Sequence, residues 1–140
     1  MSMDEWCDEM AVRSRTLTAE QRVRYISKRS GHDGIPVEDR FAAAFVQAGD
    51  CWVWQRRLGN SCQPTMTVNG HPVTSARWAW VEAGGAPLSS DDILGTNCGT
   101  GSRCVNPQHH DITTHSEKNR RGHARRVARL KAPEVDRDDA

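Results

Sequence analysis

Apolar residues recur at helical spacing through the first third of the chain and alternate at Trp52 and Trp54, and this change of period predicts the order of elements. Two short helices open it. "DEWCDEMAVRSR" has acids in its first turn and Arg13 and Arg15 in its last, which suits the helix dipole. "TAEQRVRYISKRSG" starts at Thr18 with Gln21 three residues on, a capping-box spacing, and puts Val23 and Ile26 on one face before Gly31. A longer helix is predicted over "GIPVEDRFAAAFVQAGD", with Pro36 near its first position, Phe41, Ala44, Phe45 and Ala48 at helical spacing, and Gly49 as the stop. "CWVWQRR" and "PTMTVNGHPVTS" read as strands, the second folded into a hairpin at Asn69-Gly70. "ARWAWVEAGG" is a further helix, the run from Gly85 to Asn97 a loop, and a basic helix follows from about His115 to Lys131. The four tryptophans at 52, 54, 78 and 80 are assigned to the core.

A chain of 140 residues with 36% hydrophobic and 26% charged residues can bury one modest core with a small helical addition. The expected division is a helical segment over 1–35, a main domain over 36–131 and an acidic tail over 132–140. The first segment either braces the main domain or reads DNA through Arg22, Arg24, Lys28 and Arg29. No run is long and apolar enough for a membrane span, and "MSMDEWCDEM" lacks the features of a secretory signal, so an intracellular, cytoplasmic protein without a membrane partner is expected. The net charge of +1 hides a local excess, since "KNRRGHARRVARLK" holds seven Lys or Arg and no acid.

Five cysteines without an export signal argue against a disulfide framework and, where histidines lie close by, for metal. The stretch "NCGTGSRCVNPQHH" supplies Cys98, Cys104 and His109 within one tight loop, with Gly99 and Gly101 easing the turns. Thiolate donors favour zinc over magnesium or calcium, and a zinc tetrahedron needs a fourth ligand. Cys51, at the start of a strand just after a helix stop, is the leading choice, with Cys62, His110 and His71 as substitutes.

The order "RF…CWVW…VNGHPVTSARWAWVEAGGAPL…TNCGTGSRCVNPQHH…TTHSEKNRRG", over about Val37 to Gly122, resembles phage and homing HNH endonucleases, including the His-Cys box branch. The resemblance implies an α+β fold: a zinc-stabilised ββα-metal core over 36–131, with a β-hairpin, the N-terminal helices and the basic C-terminal helix. It also implies structural zinc on Cys51, Cys98, Cys104 and His109, and it groups Asn106 of the Asn-Pro step with the catalytic positions. Asn119 is the nearest match to the family's magnesium-ligating Asn, one residue late, with Lys118 in the usual place. Where the family places its general-base His, this chain has Thr96, whose hydroxyl is no base near neutral pH. Members also often carry a His where Ala76 stands.

Double-stranded DNA is the expected partner. Lys118, Arg120, Arg121, Arg125, Arg126 and Arg129 form the principal phosphate-contacting set, extended by Arg56, Arg57, Arg77 and Arg103. The function expected is a DNA-binding protein on an HNH scaffold without cleavage, such as a phage or mobile-element regulator. The alternative is an active magnesium-dependent nicking enzyme whose base is another group, with His110 and His115 as candidates. A zinc-stabilised module for an acidic protein partner is a third.

Overall fold

The computed structural model describes residues 2–26, 34–58 and 63–131. Within them the chain is a mixed α+β molecule of five α-helices and three two-stranded antiparallel sheets. Cys62, Lys28, Arg29, Gly31 and the acidic tail lie outside the described residues.

Helix α1 (Met3–Thr16) is capped by Ser2, whose hydroxyl accepts from Glu5 N. Helix α2 (Ala19–Ile26) opens with the capping box expected of it: Gln21 N donates to Thr18 Oγ1, and Thr18 N donates back to Gln21 Oε1. Helix α3 (Val37–Ala44) is shorter than its periodicity predicts. At Phe45 the chain turns extended and forms β1 (Phe45–Ala48), which pairs antiparallel with β2 (Cys51–Trp54). The reason is tertiary. Phe45 stacks on Trp52 with ring centroids 4.6 Å apart and planes 7° from parallel, a contact that the strand pairing makes and one more helical turn would forfeit. Gly49, with φ 62°, is therefore a hairpin residue and not a helix stop.

Strands β3 (Thr65–Val68) and β4 (His71–Thr74) form the hairpin predicted at Asn69-Gly70, both of which adopt positive φ as a type I′ turn requires. Helix α4 (Ser75–Glu82) follows directly. The segment read as a loop from Gly85 contains a strand, β5 (Ile93–Thr96), which pairs with β6 (His110–Thr113). Between them lie the ligand-rich residues and two 3-10 turns, Gly101–Arg103 and Pro107–His109. Helix α5 (His115–Lys131) leaves β6 after one residue.

The core is aromatic and shared by elements from most of the chain. Phe41, Phe45, Trp52 and Trp54 pack with Cys7, Met10 and Ala11 of α1, with Met66 and Ala79, and with Val105 of the ligand loop. Trp6 and Trp78 close it from the side, each within 6.3 Å of Phe41 by ring centroid. Trp80 stays at the edge, donating its indole N–H to the Ala86 carbonyl. No helix among the described residues is long and apolar enough to cross a membrane.

Candidate metal centre and adjoining cleft

Backbone pairing presses the ligand loop onto the β1–β2 hairpin. Val105 N donates to the Trp52 carbonyl at 2.8 Å, and Cys104 bridges to Val53. Asn106 completes the joint: its Nδ2 donates to the Asp50 carbonyl at 2.9 Å while its Oδ1 accepts from Gln108 N at 3.0 Å. The loop is thus fixed to the residue just before Cys51. Gln108 also reaches Asp4 of α1, so the first helix buttresses the same loop.

The consequence is a cluster of four ligand atoms. Cys51, Cys98, Cys104 and His109 bring their sulfur and nitrogen atoms within 4.8 Å of one another and can hold a metal ion. A zinc tetrahedron with ordinary bond lengths has S···S edges of about 3.8 Å and S···N edges of about 3.5 Å. His109 Nδ1 lies 3.6 Å from Cys51 Sγ and 3.4 Å from Cys104 Sγ, which fits. Three sulfurs and an imidazole suit a borderline-soft cation and not magnesium or calcium. Electrostatics agree: burial first, then the neighbouring thiols of Cys98 and Cys51, push the Cys104 thiol up to about 12. The Cys104 thiol therefore keeps its proton at neutral pH unless a cation displaces it. Of the substitute ligands, His71 is exposed on β4, and His110 points its Nε2 at the Cys104 carbonyl, 2.9 Å away.

Beside the cluster, a cleft of about 680 Å³ opens between α5, β5 and the start of α4. Thr96, Asn119, Lys118, Arg125 and Arg126 line it, together with His110 and His115. Asn106 does not line it, and both ends of its amide are committed to backbone. His110 is buried, with its Nδ1 shielded from solvent and without a hydrogen-bond partner. Burial, then the charge of His109, lowers its pKa to about 4. Thr96 Oγ1 accepts from Arg125 Nη2 at 2.7 Å.

The arginines of α5 divide into two roles, a distinction invisible in the sequence run. Arg125 donates through Nη2 to the Thr96 carbonyl (2.9 Å) and through Nε to the Cys98 carbonyl (3.2 Å). Arg121 grips Asp111 with both terminal nitrogens, at 2.7 and 3.2 Å, and these contacts raise its pKa. Both bind the helix to β5, β6 and the ligand loop. Arg120 is exposed and paired with Glu117, whereas Arg126 and Arg129 are exposed with no ion pair or hydrogen bond among the described residues. Arg56 and Arg57 follow β2, outside the cleft. Arg77 donates to the carbonyls of Asp92 (2.7 Å) and Ser89 (2.5 Å), and Arg103 donates to the Trp54 carbonyl at 3.1 Å.

Arg22, a candidate DNA contact from its charge alone, is a fastener. Its guanidinium donates to the carbonyls of Ala43 (2.7 Å), Phe45 (2.9 Å) and Ser14 (2.7 Å), closing the end of α3. The capping box placed Arg22 on α2, but only tertiary packing shows which carbonyls it meets. No family model matches this chain, and no curated protein or solved structure does.

Proposed function

We propose that the protein is a zinc-held DNA-binding module on an HNH-like ββα scaffold, and that it does not cleave the strand it binds. The observation carrying this reading is the join between the Cys51–Cys98–Cys104–His109 cluster and a helix rich in cations: the Cys98 carbonyl and Thr96 both accept from Arg125 of α5. A structural ion there orients α5, and α5 presents Lys118, Arg126 and Arg129 to phosphates. The order β5, ligand loop, β6, α5 is what the HNH resemblance implies, and it supports that scaffold.

The loss of cleavage follows from the absence of a usable base at the strand end. Thr96 Oγ1 is bound by a guanidinium, and the one free nitrogen of His110 is shut off from water, so neither side chain takes a proton from an attacking water. His115 and Asn119 both line the cleft, which favours the second reading, a magnesium-dependent nicking enzyme with His115 as base. In either case the contribution of zinc is structural: it neutralises and fixes the ligand loop.

Plasmid nicking in magnesium or manganese, run beside a mobility shift on the same zinc-loaded preparation without chelator, separates the two. The expected outcome is retarded duplex and intact supercoiled plasmid. Metal-dependent nicking that disappears in His115→Ala and Asn119→Ala, with DNA binding retained in both, would establish the enzyme instead.

A further inference from the structure

The cleft beside α5 has a charge problem. Its walls carry Arg77, Lys118, Arg125 and Arg126 against a single carboxylate, Asp92. Asp92 Oδ2 accepts from Ser89 N at 2.8 Å, and Arg77 is spent on the carbonyls of that same loop. Lys118, Arg125 and Arg126 therefore face the opening without an acid. Lys118 is half-buried, and its ammonium makes no hydrogen bond or ion pair with any described residue. Its burial disfavours the ammonium and lowers its pKa. A partly desolvated cation with no partner is a standing cost, and a bound anion is what removes it. Arg125 has two N–H groups on Nη1 left over after its bonds to Thr96 and Cys98.

Magnesium does not fit the same walls. It demands an octahedron of oxygens, usually with one or two carboxylates among them. The lining offers one carboxylate, Asp92, with one oxygen already bonded to Ser89 N; its other side-chain oxygens are the neutral ones of Gln63, Thr74, Ser102, Asn119 and Thr96, and Thr96 Oγ1 already accepts from a guanidinium 2.7 Å away. A metal brought to Thr96 would meet the positive charge of Arg125 at contact distance.

We infer that the cleft between α5 and β5 binds a phosphate group directly, through Lys118, Arg125 and Arg126, with the anchored Arg125 guanidinium supplying the counter-charge and no divalent cation taking part. The source of the phosphate as a DNA strand rests on the function proposed above; the oxyanion chemistry of the cleft does not. A volume of about 680 Å³ admits a phosphodiester with its flanking sugars. Arg125 is pre-organised by its bonds to the strand end, so little entropy is lost when its remaining donors close on two phosphate oxygens.

The test uses the zinc-loaded full chain in buffer free of magnesium and chelator, with a short blunt duplex followed by fluorescence anisotropy. Lys118→Gln and Arg126→Gln disturb no side-chain hydrogen bond among the described residues, and each is expected to weaken binding about 3-fold or more and to flatten the log–log salt dependence by about 0.9. Magnesium at matched ionic strength should not strengthen the complex. A separate arm titrates a 5′-phosphorylated thymidine dinucleotide and reads amide chemical shifts, expected at 93–96 and 115–126 and lost in the double variant. Strengthening by magnesium of about tenfold or more overturns the inference, as do variants with wild-type affinity and salt slope. If the dinucleotide moves the cleft amides while the duplex fails to bind, the phosphate site stands and the DNA reading falls; duplex binding with silent variants gives the reverse.

Discussion

Neighbours, and not burial, divide the described cysteines between two chemistries. Cys7 sits in the aromatic core at 4% exposure, with Asn106 Oδ1 at 3.9 Å as its weak polar contact. Burial, followed by the charges of Asp4 and Asp8, pushes its thiol up to about 12 from an ordinary 9.0. No second thiol among the described residues shares its site, so it is a packing residue, whereas Cys51, Cys98 and Cys104 converge on one point. The linkage has a definite sign. A thiol whose pKa is raised by folding keeps its proton longer in the native state, so its stabilising effect is full below pH 9.0 and is lost as pH rises toward about 12. The slope is about 1.4 kcal/mol per pH unit for one group. Cys7→Ala should therefore be less stable than wild type at pH 7 by about 1 kcal/mol or more from lost packing. By pH 10 the two unfolding curves should converge. Urea denaturation of both zinc-loaded proteins at the two pH values checks this, and a constant stability difference would show that Cys7 does not titrate on unfolding.

At the level of elements, local signals succeeded where the deciding interaction lay within about four residues. The Thr18–Gln21 capping box and the Asn69-Gly70 turn are of that kind, whereas Cys98, Cys104 and His109 were legible from their residue types within one loop. Failures came where a distant partner decided. Phe45 to Ala48 has helical periodicity, yet pairing with Cys51–Trp54 and the Phe45–Trp52 stack override it. Ile93–Thr96 reads as loop because Asp91, Asp92 and two glycines surround a short apolar run, and only pairing with His110–Thr113, across the whole ligand loop, makes it a strand. The same limit hid the role of Arg22. Its planar fork satisfies carbonyls from α1, α3 and β1 at once, and an ammonium cannot span them. Arg22→Gln and Arg22→Lys should each cost about 2 kcal/mol, as buried carbonyls lose their donor. DNA affinity of the folded fraction should be unchanged. Thermal unfolding and anisotropy on the same samples test both halves; a variant of full stability that binds DNA poorly would return Arg22 to the DNA-contacting set.

Across the whole molecule, the metal cluster is a long-range tie. Cys51 enters it from the β1–β2 hairpin, and the other ligands come from a loop that begins near residue 97, so an ion bound there would join segments that backbone pairing, the Asn106 clamp and the Arg103–Trp54 hydrogen bond also hold together. That tie passes beneath the core, because Val105 and Trp52 belong both to it and to the aromatic cluster. It also reaches α5 through the Cys98 carbonyl and Arg125. Removing zinc should therefore act on the core and the basic helix together. Without the ion the ligands lose their common centre, and a structural zinc site of this kind contributes about 10 kcal/mol or more to folding at neutral pH. For a small core with a net stability of about 5–15 kcal/mol, that loss is enough to unfold it. Titration with a strong chelator should abolish the near-ultraviolet signal of the tryptophans and the helical signal of α5 in a single transition, at about one zinc released per chain, and added zinc should restore both. Cys51→Ser should shift the transition to much lower chelator concentration, since the oxygen that replaces the sulfur is a poorer ligand for zinc. A protein that keeps its aromatic signal after complete loss of metal, or one that loses α5 while the core persists, would show that packing alone holds the ligand loop on the hairpin.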